Sequence, residues 1–198
     1  MNHELDESLQ DEQRRRFLVK SSGVLGGIGV LCALAPLVSS WMPSARTRAL
    51  GAPVHVDLQS LSPGEQLTVL WQGKPVWVIR RTQAMLTSLA CQRSALRDPD
   101  SLVHQQPVYA QNSARSINPE YLVLVGLCTH LACVPLYKPQ PHEVSPDWLG
   151  GFSCPCHGSC FDLAGRVFKD MLAPVNLLVQ PYRFVNAHTI LIGEDSHG

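Results

Sequence analysis

The chain has 198 residues, and its 16 basic and 16 acidic side chains cancel to a net charge of zero. This neutrality gives no support for a nucleic-acid or strongly acidic partner. The length allows one medium-sized domain plus an appendage. Seven cysteines are many for a reducing compartment, and a structural disulfide requires an oxidising one such as the periplasm.

The first 20 residues predict a cytoplasmic tail that ends in a basic cluster. Residues 1–13 are acidic and polar without an apolar period, which favours a flexible segment. The run from Arg14 to Lys20 follows and resembles a twin-arginine export signal. The same charges also satisfy the positive-inside rule. Both interpretations leave residues 1–20 in the cytoplasm.

Residues 21–42 predict a transmembrane anchor, because these 22 residues carry no charge and ~20 apolar residues cross a bilayer as a helix. A cleaved signal peptide is the alternative, although its apolar core runs only ~7–15 residues. Pro36 lies inside the span, where a proline kinks a helix or marks its end. Residues 43–53 are rich in Ser, Ala, Gly and Pro and predict a linker.

The remaining residues, 54–198, predict a mainly β domain. A helix is expected from an N-cap at Thr82 to about Gln92, and the polar residues 93–120 are expected to be irregular. Short strands bounded by turn residues indicate an antiparallel sandwich or partly open barrel. The expected strands are 54–58, 67–70, 76–79, 121–127, 175–179, 182–185 and 189–192, with a tight turn at 72–75.

Two loops carry the residues with metal chemistry, 128–133 (Cys-Thr-His-Leu-Ala-Cys) and 154–159 (Cys-Pro-Cys-His-Gly-Ser). Each loop offers one Cys–His pair, spaced C-x-H in the first and C-x-x-H in the second. A Cys₂His₂ zinc site uses the same ligand types but usually groups like ligands together. Mixed pairs suit a two-iron cluster in which one iron takes both sulfurs and the other takes both imidazoles.

These loops resemble those of the Rieske iron–sulfur subunit of quinol:cytochrome c oxidoreductase, the cytochrome bc complex. The flanking segments 147–152 and 162–168 are similar to the proteobacterial branch. The resemblance covers nearly the whole chain and implies one Rieske-type [2Fe–2S] cluster. It also implies a mainly β fold, in which a Rieske-type antiparallel β sandwich carries an inserted cluster-binding subdomain at about residues 126–174, preceded by one N-terminal transmembrane helix.

The resemblance also assigns roles to individual residues. His157 is implied to meet the quinol oxygen, accept a proton and relay an electron. The implied cluster ligands are Cys128, His130, Cys154 and His157, and the implied disulfide joins Cys133 to Cys156.

Further residues of the loops are implied to tune the cluster. Ser159 matches a serine that hydrogen-bonds a bridging sulfide and raises the reduction potential. Phe161 stands where well-known members have a tyrosine, so a lower potential is expected. Ala132 replaces a glycine, and its methyl group is expected to need a small backbone shift. Residues 170–174 correspond to a cover loop that here lacks its first proline and preceding glycine, so a less rigid cover is expected.

The implied function is electron transfer within a dimeric cytochrome bc complex. The chain would oxidise quinol, expected to be ubiquinol, and pass one electron to a c-type cytochrome with proton release. Its partners would be cytochrome b and a c-type cytochrome, with no nucleic acid. The cluster domain would lie in the periplasm, swing on the 43–53 hinge and stay anchored in the bacterial inner membrane.

Two other classes remain alternatives. A Rieske ferredoxin or oxygenase component usually lacks both the Cys133/Cys156 pair and a membrane anchor. The small Rieske subunit of a molybdenum-containing arsenite oxidase can share the export signal and the disulfide. Three cysteines have no assigned role, namely Cys32, Cys91 and Cys160, and the histidines outside the two loops are expected at the surface.

Overall fold

The computed structural model describes residues 2–42, 44, 47, 49 and 51–195, with side chains from residue 12 onward. The chain divides into two compact units, Met1–Arg48 and Ala49–Gly198, and each is described by itself. Five residues of the predicted 43–53 linker, at positions 43, 45, 46, 48 and 50, lie outside the described residues.

The first unit contains a long helix, α1, from Asn2 to Ser39. Its Glu12–Ser39 portion is long and apolar enough to cross a membrane. The prediction of a flexible segment at residues 1–13 is wrong from Asn2 onward, because α1 includes those residues. The physical reason lies in the composition, since the chain contains no glycine or proline before Gly23. Pro36 lies one turn before the end of the helix, and its carbonyl accepts a hydrogen bond from the Ser40 amide.

The second unit is mainly β, as predicted, and contains three antiparallel sheets of three strands each. The sheet orders are β1-β9-β8, β2-β3-β4 and β5-β6-β7. The strands are β1 Val54–Asp57, β2 Gln66–Trp71, β3 Lys74–Arg80, β4 Tyr121–Val125, β5 Leu136–Lys138, β6 Gly151–Ser153, β7 Cys160–Asp162, β8 Tyr182–Asn186 and β9 Thr189–Ile192. One α-helix, α2 Gln83–Cys91, and two 3₁₀ helices, Arg93–Ala95 and Val108–Ala110, complete the described elements.

The core joins the β2-β3-β4 sheet to the β5-β6-β7 sheet that carries the two loops. Every residue of β4 is buried, which explains its continuous apolar sequence. Trp77 of β3 stacks on Phe152 of β6 with 5.2 Å between ring centroids. Gly126 follows β4, and a Cβ there would lie 2.3 Å from the Trp77 indole. The glycine therefore lets the chain pass the indole and enter the first loop.

Of three local predictions in this unit, one is confirmed, one is wrong and one is correct only in part. The Thr82 side chain caps α2 by accepting the Met85 amide at 3.3 Å. The predicted strand 175–179 is irregular, because its amides bond to loops, with Leu177 donating to Gly165 and Val179 donating to Gln105. The turn between β2 and β3 occupies only residues 72–73, both in the left-handed region, so β3 already begins at Lys74.

The long excursion at 93–120 contains no strand, as predicted, although Leu96 forms an isolated β-bridge with Phe168. It is held by a buried arginine. Arg115 is fully buried, and its guanidinium donates to the carbonyl oxygens of Ala164, Gly165 and Leu177 at 2.7–3.2 Å. Burial lowers the pKa of Arg115 to about 10, which still leaves it charged at neutral pH. The excursion is thereby fastened to the turn that follows β7.

Candidate metal centre

The two loops follow the same backbone path. In the first loop the Cys128 amide donates to the Cys133 carbonyl at 2.7 Å, and the Ala132 amide donates back to the Cys128 carbonyl at 2.9 Å. The second loop repeats both bonds at the same spacing, so each loop closes on its first cysteine. The equivalent bonds join the Cys154 amide to the Ser159 carbonyl at 2.8 Å and the Gly158 amide to the Cys154 carbonyl at 2.9 Å.

The fifth residue of each loop is in the left-handed region, with φ +59° at Ala132 and φ +72° at Gly158. A glycine adopts this conformation freely, whereas an L-residue with a Cβ is strained there. The first loop therefore keeps the glycine-type turn even though Ala132 occupies it.

The four predicted ligands form two pairs, a buried pair of sulfurs and a more exposed pair of imidazoles. Cys128 and Cys154 are only 3% and 2% exposed, and Cys154 is an electrostatic neighbour of the Cys128 thiol. The rings of His130 and His157 lie edge to face, with 4.8 Å between their centroids. His130 is half-buried and His157 is exposed. The division of these ligands between two irons stays a prediction.

One buried atom tests whether these residues fit a metal. The Nδ1 atom of His130 is buried and has no hydrogen-bond partner among the described residues. A buried polar atom without a partner costs free energy, and a metal bond would satisfy it. Burial also raises the pKa of the Cys128 thiol, as expected for a sulfur that lies beside a second one in an apolar site. The donor set and the unpaired nitrogen therefore fit a Rieske cluster.

The predicted disulfide between Cys133 and Cys156 is confirmed, and it links the two loops. The sulfurs of Cys133, Cys154 and Cys156 lie within 4.8 Å of one another. They do not form a separate three-sulfur site, because two of them are committed to the bond. Cys160 is not in the disulfide, and its Sγ lies 3.5 Å from the Gly158 carbonyl.

The two predicted tuning residues lie at the base of the second loop. Ser159 is 1% exposed, and its Oγ accepts a hydrogen bond from the Ala173 amide at 3.1 Å. The Ser159 hydroxyl hydrogen therefore remains available for a different acceptor. Phe161 is fully buried in β7 and lies opposite Phe152 of β6, without a hydroxyl to donate. Their effects on a cluster stay predictions.

Two residues that support the loops were not predicted from the sequence. The Thr129 hydroxyl donates to the Val175 carbonyl at 2.7 Å and ties the first loop to the segment after residue 174. Arg97 donates to carbonyl oxygens of residues 171–174. Thr129 lies between two predicted ligands, which is a usable signal. Arg97 lies 31 positions before Cys128, and its sequence position gives no such signal.

Two profiles of known protein families match this chain and define its protein class. The profile of the Rieske [2Fe-2S] domain matches residues 53–178, which include both loops and the whole mixed ligand set. A second profile, "Ubiquitinol-cytochrome C reductase Fe-S subunit TAT signal", matches residues 5–44. The chain is therefore a Rieske protein and contains one Rieske-type [2Fe–2S] cluster, and the zinc alternative is set aside.

Individual relatives then define the family. The ubiquinol-cytochrome c reductase iron-sulfur subunit of Allochromatium vinosum is 53% identical over 187 residues, covering 93% of this chain and 90% of that protein. The subunits of the same name from Rhodospirillum rubrum and Bradyrhizobium diazoefficiens are 40% and 38% identical and cover 92% and 91% of this chain. The matched regions cover 93% and 94% of those two subunits. The chain belongs to the family of ubiquinol-cytochrome c reductase iron-sulfur subunits.

Proposed function

We propose that this chain is the iron–sulfur subunit of a respiratory cytochrome bc complex, which takes electrons from quinol and passes them one at a time to a c-type cytochrome. The observation that carries the proposal is the difference in exposure between the predicted sulfur ligands and the predicted imidazole ligands. The two predicted sulfur ligands are buried, whereas one of the two predicted imidazole ligands, His157, is exposed. Family membership supports the same function and favours it over the arsenite oxidase alternative.

In this proposal Cys128 and Cys154 hold one iron, while His130 and His157 hold the other. When bound, the cluster supplies a one-electron acceptor with a potential of ~−150 to +300 mV, against ~−400 mV for plant-type clusters ligated by cysteine alone. The difference arises because two neutral imidazoles replace two thiolates. The burial of both cysteines keeps water away from the sulfurs, and the disulfide holds the two ligand loops together.

His157 is the residue proposed to meet the substrate. One nitrogen of the His157 imidazole would hold iron, and the other would be free to accept the proton of a quinol hydroxyl that approaches from outside. His157 is exposed, as this role requires. Leu131 in the first loop and Leu172 in the segment 170–174 are also exposed, at 67% and 59%. Such apolar side chains suit docking against cytochrome b near an apolar quinol.

The proposed topology follows the predicted boundaries. Residues 1–20 form the cytoplasmic tail, 21–42 the retained transmembrane anchor, 43–53 the hinge, and 54–198 the periplasmic domain with its cluster-binding subdomain at about 126–174. The apolar helix and the match of residues 5–44 to an export-signal profile support export through the bacterial inner membrane. The disulfide supports an oxidising compartment.

Purification of the tagged full-length chain from detergent-solubilised membranes tests this function. Cytochrome b and a c-type cytochrome should co-purify as a dimeric complex without nucleic acid, and the complex should reduce cytochrome c with ubiquinol. Purification with a molybdenum subunit and without haem would contradict the proposal. N-terminal sequencing of the purified chain tests the anchor, and a mature chain that begins near residue 44 would exclude it.

A further inference from the structure

The cover segment, residues 170–174, lies against the second loop without regular secondary structure of its own. A single side chain supplies hydrogen bonds to three of its carbonyl groups. Arg97 Nη1 donates to the Ala173 oxygen at 2.9 Å and to the Pro174 oxygen at 3.2 Å, and Nη2 donates to the Met171 oxygen at 2.8 Å. A planar guanidinium is suited to this task, because its donors diverge in a fixed fork.

The opposite side of Ala173 contacts the second loop. Its amide donates to Ser159 Oγ at 3.1 Å, and both residues are buried, with exposures of 0% and 1%. Ala173 is therefore held at its carbonyl by Arg97 and at its amide by Ser159. Because that amide occupies one lone pair of the hydroxyl oxygen, it restricts the directions in which the Ser159 hydroxyl can donate.

Arg97 is itself held in place by residues 167–169, which lead into the cover segment. Its backbone amide donates to the Val167 carbonyl at 3.0 Å. Lys169 then bonds back to the same stretch, with its amide on the Ala95 carbonyl at 2.9 Å and its Nζ on the Ser94 carbonyl at 2.7 Å. The position of the guanidinium is thus fixed relative to the cover segment by several independent bonds.

We propose that Arg97 is a positioning residue for the iron–sulfur centre. By fixing Ala173 it fixes the Ser159 hydroxyl, and through that hydroxyl it keeps the reduction potential of the cluster high. In this chain Arg97 thus supplies the rigidity that the missing proline and glycine of the cover segment would otherwise give. This inference rests on the ligand set of the proposed function and on the cluster-tuning role that the family resemblance implies for Ser159.

Redox titration of the full-length protein, followed by the EPR signal of the reduced cluster, tests the inference. Arg97→Lys keeps the charge but removes the fork, and Arg97→Met removes both. Each should shift the cluster towards the oxidised state by about three- to tenfold, which is a fall of ~30–59 mV for a one-electron couple. Arg93→Lys and Arg93→Met are the matched controls, because Arg93 pairs with Asp100 at 2.6 Å, and both should leave the potential unchanged.

A double variant shows whether Arg97 acts through Ser159. Arg97→Lys should add no further shift to a Ser159→Ala background. The inference is overturned if the full shift persists in that background, if Arg97→Lys equals the wild type, or if Arg93→Met shifts the potential as much as Arg97→Met. Loss of the cluster in Arg97→Lys with an intact Arg93→Lys also overturns it, because Arg97 would then be needed for folding and not for tuning. A wild-type protein without any Rieske signal would refute the ligand set itself, whereas a normal signal with an unmoved potential refutes only the role of Arg97.

Discussion

Removal of the disulfide measures how much one covalent bond contributes to the stability of the paired loops. The change must be the double variant Cys133→Ser/Cys156→Ser. Either single variant would leave a free thiol close to Cys154, because the three sulfurs lie within 4.8 Å of one another. That thiol could form a new disulfide with a cluster ligand. The double variant removes the bond without creating this competitor.

The size of the effect follows from the length of chain that the bond closes. The two cysteines are 23 positions apart. The chain-entropy relation for a loop of this length gives about 3.4 kcal/mol at 25 °C. With a guanidinium m-value of ~4 kcal/mol per molar for a domain of this size, the unfolding midpoint should fall by roughly 0.8 M.

The assay is guanidinium unfolding of the full-length protein in detergent, followed by tryptophan fluorescence. Wild-type protein treated with a thiol reductant should unfold at the midpoint of the double variant. Cys32→Ser/Cys91→Ser removes two free, exposed cysteines and should unfold like the untreated wild type. A double variant of the disulfide that unfolds at the oxidised wild-type midpoint would show that the bond does not stabilise the loops.

Four further substitutions probe the loops and their support. Phe161→Tyr should raise the midpoint potential by several tens of millivolts, where ~59 mV is a tenfold change in the equilibrium constant. Ser159→Ala should lower the potential, and redox titration measures both effects. An unchanged potential in Phe161→Tyr with an intact cluster would show that the new hydroxyl does not reach a ligand sulfur. Ala132→Gly should stabilise the protein by about 0.5–1 kcal/mol, because it relieves a left-handed alanine; denaturant unfolding measures this, and a destabilised variant would contradict it. Tyr137 donates to the Gly64 carbonyl at 3.0 Å, and burial raises its pKa to about 12. The contribution of Tyr137 to stability is complete below pH ~10, the pKa of a tyrosine in the unfolded chain, and is lost as the pH rises through 12. Tyr137→Phe should therefore lose less stability than the wild type between these pH values.

The sequence predicted the chemistry of the site better than its surroundings. Cys128, His130, Cys154 and His157 lie in two short loops, so their spacing and the resemblance together sufficed to place them in one cluster. The structure places His130 beside His157 and Cys154 beside Cys128, and their joint role as cluster ligands stays a prediction. By contrast, β5, β6 and β7 have three residues each, too few to show a period of two. The sheet that carries the second loop was therefore not predicted strand by strand.

Tertiary contacts explain the other differences. The apolar run at 175–179 predicts a strand, but its amides donate to the carbonyls of Gly165 and Gln105, which lie in other loops. Arg97 and Arg115 are arginines within a polar stretch, which a single sequence assigns to the surface. Their importance comes from the carbonyl groups that folding places around them. Such roles depend on the three-dimensional path of the chain and leave no local pattern.

Pulsed EPR of the reduced, full-length protein labelled with ¹⁵N-histidine tests the central claim most directly. A Rieske centre held by His130 and His157 should show two irons and two acid-labile sulfides per chain, a low average g-value, and strong coupling to two histidine nitrogens. Alanine substitution of either histidine should abolish this signal, while His55→Ala, at an exposed histidine outside the loops, should leave it intact. Stoichiometric zinc in place of iron, or a cluster signal without coupling to two histidine nitrogens, would contradict the account.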